Sequence, residues 1–124
     1  HPISGIGIGR FQEVYLAYQK YFPLYLEWAV PQPHNLYLAV WLQAGIVGFL
    51  GFSILISVWL KKMFKLWSLS YQDEHNKKIS ALFIALMTLF LLIGIADTPF
   101  FKTDLAFIFW LILALGMGFL NQPR

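Results

Sequence analysis

The chain has no cysteine, and only 12% of its 124 residues are charged. The first absence excludes a disulfide framework, a zinc–thiolate site and a thiol nucleophile, though it says little about compartment. The second excludes an ordinary soluble domain, where charged residues make up about a quarter of the chain. The net charge of +3 is small. No basic stripe interleaved with aromatics is present, so nucleic acid is excluded as a partner. No set of His, Asp and Glu has metal-ligand spacing.

What the chain does have is apolar and aromatic: 59% hydrophobic residues and 19% Phe, Trp and Tyr. Trp and Tyr favour membrane interfaces. The expected fold is therefore an all-α membrane protein. Three transmembrane helices are preceded by a glycine-rich outer loop and a short interfacial amphipathic helix. Residues 1–35 are read as the outer, periplasmic loop segment. Its glycine-punctuated start, residues 1–9, is followed by a helix over 10–21 that places Phe11, Val14, Tyr15, Tyr18 and Tyr21 on one side. Residues 22–33, with three prolines, Glu27 and Trp28, read as an irregular interfacial loop. Residues 36–120 form the membrane region. Leu36–Leu60 carries no formal charge and is about 37 Å long as a helix. Ile79–Ala96 is about 27 Å. The third span, 104–120, is shorter and needs Thr103 or Asp104 to cap its start. The chain opens on His1-Pro2 and not on methionine. It is expected to be a piece of a larger membrane protein.

Charge sets the expected orientation. Residues 61–78 hold Lys61, Lys62, Lys65, Lys77 and Lys78, and Arg124 lies at the far end. The other side holds Arg10, Lys20 and Lys102, offset by Glu13, Glu27, Asp97 and Asp104. The positive-inside rule places 61–78 as a basic cytoplasmic loop, with His34 and the 97–104 turn on the outer side. The lysines also give that loop an affinity for anionic lipid. His75, beside Asp73 and Glu74, is read as inert there.

Four places could carry chemistry. Pro31-Gln32-Pro33-His34-Asn35 stands directly before the first apolar run. Ionisable groups at the mouth of a membrane helix tend to be functional. Pro33 suits a first helical turn and would place His34 there, where the helix dipole favours an uncharged base beside an anion site. Such a pair suits attack by a hydroxyl on a phosphorylated donor. The plainer reading is a histidine that bonds locally. Gly5-x-Gly7-x-Gly9 is either an anion cradle, with Arg10 pairing a phosphate, or a tight turn. Without a βαβ unit it is no dinucleotide fingerprint. Gly45, Gly48 and Gly51 recur every third residue, with Gly45 and Gly48 on the His34 side. They permit close packing by a helix or a lipid-linked ligand. Gln43, the amide within this span, is expected to bond a neighbouring helix. Asp97 either orients His34 or an acceptor hydroxyl, or pairs with Lys102. Asp104 is read as the N-cap of the last span.

Three stretches together resemble the O-antigen ligase and Wzy-type polymerase superfamily of bacterial polytopic membrane proteins. They are His1-Pro2-Ile3-Ser4-Gly5-Ile6-Gly7-Ile8-Gly9-Arg10-Phe11, then Pro33-His34-Asn35-Leu36-Tyr37-Leu38 with Gln43-Ala44-Gly45-Ile46-Val47-Gly48, then Asp97 to Leu105 with Phe109-Trp110. The resemblance implies an enzyme of lipopolysaccharide biosynthesis in the bacterial inner (cytoplasmic) membrane. It would transfer a glycan from undecaprenyl diphosphate to a hydroxyl of lipid A-core or another acceptor. By the same resemblance His34 is catalytic, Arg10 holds the donor diphosphate, and no cofactor or metal is required; Asn35 and Asp97 are expected to bind substrate beside them. This piece would be the C-terminal part and inactive alone. Within the family, a polysaccharide polymerase or a protein O-glycan ligase is the alternative. Outside it, the alternative is a non-enzymatic membrane subunit or transporter fragment. The ionisable groups sit at the outer mouth and not at mid-membrane, which counts against transport.

Overall fold

The structure, a computed structural model, describes residues 1–21, 32–70 and 73–121. Glu27, Trp28 and Arg124, named above, lie outside them. The described residues are helical and contain no strand. Four α-helices follow in order: α1 (Phe11–Gln19), α2 (Leu36–Leu69), α3 (Glu74–Ala96) and α4 (Thr103–Leu120), with a 3₁₀ turn at Pro99–Phe101. Two of them, α2 and α3, are long and apolar enough to cross a membrane. At 18 residues, α4 is apolar but short.

α2 begins at Leu36, α3 ends at Ala96 and α4 ends at Leu120, as the pattern places them, but the end of α2 and the start of α3 differ. α2 continues past Leu60 through Lys61, Lys62 and Lys65 to Leu69, and α3 begins at Glu74 instead of Ile79. Much of the expected loop 61–78 is therefore helix. Lysine is a good helix former and can lay its stem along apolar surface, so a charge need not end a helix. Asp73 starts α3 by accepting the Asn76 amide at 3.1 Å. Nor is Asp104 a cap: Lys102 holds that position without a side-chain bond, and Asp104 sits in the first turn of α4. A carboxylate there still complements the helix dipole.

The chain divides into two compact units. One comprises Ser53–Ile93 and Pro99–Arg124. Its core is a stripe on α2, namely Ile56, Trp59, Met63 and Leu66, packed with Met87 and Phe90 and with Phe109, Ile112 and Leu113. The spacing of three and four residues keeps that stripe on one face. Trp59 donates its indole N–H to the Leu113 carbonyl at 3.3 Å, which satisfies a buried donor. Outward-facing Ile54, Leu82, Leu89, Leu92, Phe107 and Leu115 are more than half exposed. So much exposed apolar surface suits lipid contact and not water.

The other unit comprises His1–Phe52 and Gly94–Thr98. Here α2 buries Leu36, Ala39, Val40 and Gln43. α1 buries no residue. It runs from Phe11 to Gln19, shorter than the expected 10–21, stacks Phe11 on Tyr15 at 5.8 Å between ring centres and leaves Tyr18 exposed, with Tyr21 exposed in the turn beyond it.

Candidate active site

The first surprise is in α2 itself. The expected unbroken span is interrupted at Gly45, whose backbone is left-handed at φ 68°. In an intact helix the Ile46 amide would donate to the Leu42 carbonyl. Instead the glycine-rich segment inserts into the break. Ile46 donates to the Pro2 carbonyl at 3.0 Å, and Leu42 accepts from the Ile6 amide at 2.9 Å. The Gly7 amide donates to the Gln43 carbonyl at 3.0 Å. Pro2 also accepts the Trp41 indole N–H at 3.2 Å. Every group freed by the break that these bonds reach is paired again, as irregular backbone in a membrane helix requires.

The glycines make this approach possible. A Cβ on Gly45 would lie 2.0 Å from the Ile3 carbonyl oxygen, and one on Gly5 2.3 Å from that of Gln43. Both positions also need positive φ, which L side chains resist. The two readings of Gly5-x-Gly7-x-Gly9 are thereby separated. The amides of Ile6, Gly7 and Gly9 are already donating to α2, so they do not form an open anion cradle. Gln43 is likewise reassigned. Among the described residues it bonds no neighbouring helix: its Oε1 accepts the Gly9 amide at 2.6 Å while the residue is 2% exposed.

The second feature is the start of α2. Asn35 is its N-cap: Oδ1 accepts the Leu38 amide at 2.9 Å, as capping asparagines do. His34 therefore precedes the cap instead of lying in the first turn. The same Asn35 side chain donates from Nδ2 to the Ile95 carbonyl at 2.9 Å. This bond ties the start of α2 to the end of α3. Gly94 lies against Leu36 in the same seam. The result brings His34 Nδ1 to 3.9 Å from Asp97 Oδ1. Asp97 Oδ1 also accepts the Thr98 amide at 2.8 Å, and Thr98 is buried. The carboxylate is thus fixed, while the His34 side chain is 83% exposed. At 3.9 Å the two are in ion-pair range, and a small rotation of the imidazole would close a hydrogen bond.

His34, Asn35 and Asp97 are brought together. Arg10 is held elsewhere in the same unit, at the head of α1. It pairs with Glu13 through two bonds of 3.2 Å, Nε to Oε2 and Nη2 to Oε1. That hydrogen bonding, with the opposite charge, lowers the Glu13 carboxyl below its ordinary range and raises the Arg10 guanidinium. Arg10 lines a groove of about 520 Å³ with Ser4, Gly5, Ile6, Val14 and Tyr18. The sequence reading did not single out Glu13 as the partner of Arg10, although their spacing of three on a helix is the standard signal. It also missed Gly94, which carries no signal in the sequence beyond its small size.

Residues 1–53 match a family model described as O-antigen ligase. No curated protein and no solved structure matches the chain. Over residues 1–53, less than half of its length, the chain is thus similar to the O-antigen ligase family, and two of its helices, α2 and α3, are long and apolar enough to cross a membrane.

Proposed function

We propose that this chain is part of a glycosyltransferase that moves a glycan from undecaprenyl diphosphate to an acceptor hydroxyl, on the outer face of a bacterial inner membrane. The observation that carries this reading is the His34–Asp97 pair at the mouth of a membrane helix. An exposed imidazole faces outward, and a carboxylate locked by the Thr98 amide stands behind its Nδ1. In this reading α4, about 27 Å long, makes the third crossing. The lysines of residues 61–78 mark the cytoplasmic end.

The geometry supports the following chemistry. Asp97 holds Nδ1–H and leaves Nε2 to take the proton of the acceptor hydroxyl. The hydroxyl oxygen attacks the anomeric carbon. The bond from that carbon to the phosphate oxygen breaks, and the diphosphate leaves with the electron pair. Arg10, in its groove, meets the developing negative charge. Asn35 serves this site by holding the α2 start against Ile95, since both ends of its amide are engaged with backbone.

The test is complementation by the full-length parent gene in a ligase-deficient strain, with wild type and His34→Ala at matched protein level. Glycan-decorated acceptor from the wild type alone supports the reading. Near-wild-type decoration by His34→Ala refutes the role of His34. If the wild type fails while lipid-linked polymer still accumulates, ligation is not the reaction.

A further inference from the structure

Gln43 is a polar residue with no part in the chemistry just described, buried within an apolar helix. Burying an amide there is unfavourable unless it makes a specific bond. The bond it makes is to the Gly9 amide, the residue directly before Arg10. Its carbonyl takes the Gly7 amide, and the Arg10 amide in turn donates to the Gly7 carbonyl at 3.3 Å. Arg10 thus hangs from Gln43 on both sides of the Gly7–Gly9 turn. Gln43 lies on the same helix whose start carries His34.

We propose that Gln43 is a positioning residue: by anchoring Gly9 it fixes Arg10, and so the donor phosphate, relative to His34. This rests on the reading of Arg10 as the donor-phosphate group. Gln43 itself touches no reacting atom. Its effect therefore falls on donor binding and not on the acceptor.

The side-chain bond and the backbone bond give separable readouts. In the full-length enzyme, Gln43→Met keeps the length and loses the acceptor oxygen, and Gln43→Glu keeps an oxygen in reach. Gln43→Met is expected to raise KM for the lipid-linked donor about tenfold, the usual effect of one lost buried hydrogen bond. Acceptor KM stays near wild type, kcat falls as well because Arg10 also meets the charge developing on the leaving diphosphate, and Gln43→Glu recovers most of the loss. Combined with Arg10→Ala, Gln43→Met adds little, because both act through one group. Hydrogen exchange at the Gly9 amide accelerates, while the Gly7 amide, bonded to the Gln43 backbone, stays protected.

The proposal is overturned if donor KM is unchanged in Gln43→Met, or if its effect adds in full to that of Arg10→Ala. It is also overturned if Gly7 and Gly9 lose protection together, which would mean plain destabilisation. Should Arg10→Ala leave donor KM at the wild-type value, the phosphate role of Arg10 falls. Selective exchange at Gly9 would then still establish Gln43 as the anchor of the segment.

Discussion

Gly94 on α3 lies against Leu36 on α2 with no room for a side chain between them. A Cβ on Gly94 would stand 2.8 Å from Leu36 Cδ2 and 2.9 Å from Leu36 Cβ. Leu36 follows Asn35 and His34, and Gly94 precedes Ile95 and Asp97. This close seam between α2 and α3 therefore lies within three residues of both members of the histidine–carboxylate pair.

Gly94→Ala should widen that seam. Overpacking of this kind costs about 1–3 kcal/mol. The expected result is a lower Tm for the full-length protein and a loss of transfer larger than the stability change accounts for, because His34 moves away from Asp97. Thermal unfolding in detergent and donor turnover, measured on the same preparation, check this. Wild-type turnover in a correctly folded Gly94→Ala protein would show that the seam does not set the pair.

Gly45 and Gly51 make a matched comparison on α2. At Gly45 an alanine meets the Ile3 carbonyl and must adopt φ 68°. The strain alone is about 1–3 kcal/mol. Undocking of residues 2–7 would add to it, so Gly45→Ala is expected to lower the amount of folded protein in the membrane. Gly51 is helical and meets nothing within 4 Å. Gly51→Ala should be neutral or gain up to about 1 kcal/mol. Equal levels of the two variants would mean that the break in α2 is not structurally required.

The Arg10–Glu13 pair has a defined pH behaviour. The Glu13 carboxyl is lowered in the folded protein. Its contribution is therefore present above the ordinary carboxyl value of 4.5 and is lost as pH falls through the lower folded value. Both side chains are more than half exposed, so the effect on stability should be too small to measure. The effect on binding should be visible. Glu13 competes with a donor phosphate for the guanidinium, so Glu13→Gln is expected to lower donor KM a few-fold without moving Tm. A raised donor KM would mean that Glu13 aims Arg10 at the donor and does not compete for it.

Which features could be read from the sequence follows from how local their causes are. The start of α2 and the end of α3 are local: an apolar run that opens at Leu36, and Pro99 three residues past Ala96. The end of α2 and the start of α3 differ from the expectation because Lys61, Lys62 and Lys78 read as boundaries, whereas α2 and α3 carry them as helix surface. The break at Gly45 has no local sign, since the apolar run is continuous across it. Its cause lies some forty residues away, in carbonyls and amides of residues 2–7 that a sequence pattern does not display. Asn35 shows how the two mix: the sequence pattern sets the first turn at Pro33 and so passes over the Asn35 cap, and the bond from Asn35 to Ile95 depends on α3.

The sharpest test of the site separates Asp97 from His34. Asp97→Asn keeps an Oδ1 to accept the Thr98 amide, so the turn after α3 should stand and Tm should hold. What it removes is the negative charge behind Nδ1, which orients the imidazole and stabilises it once it has taken a proton. Transfer with His34→Ala should fall by about 10²–10⁴, the usual range for a general base. Asp97→Asn should fall by less, with kcat reduced and both KM values unchanged, because the interaction matters only as the proton moves. The double variant should be no slower than His34→Ala, since Asp97 has nothing to orient once the imidazole is gone. A change in acceptor KM with kcat intact would instead make Asp97 a ligand for the acceptor hydroxyl, with His34 acting without it.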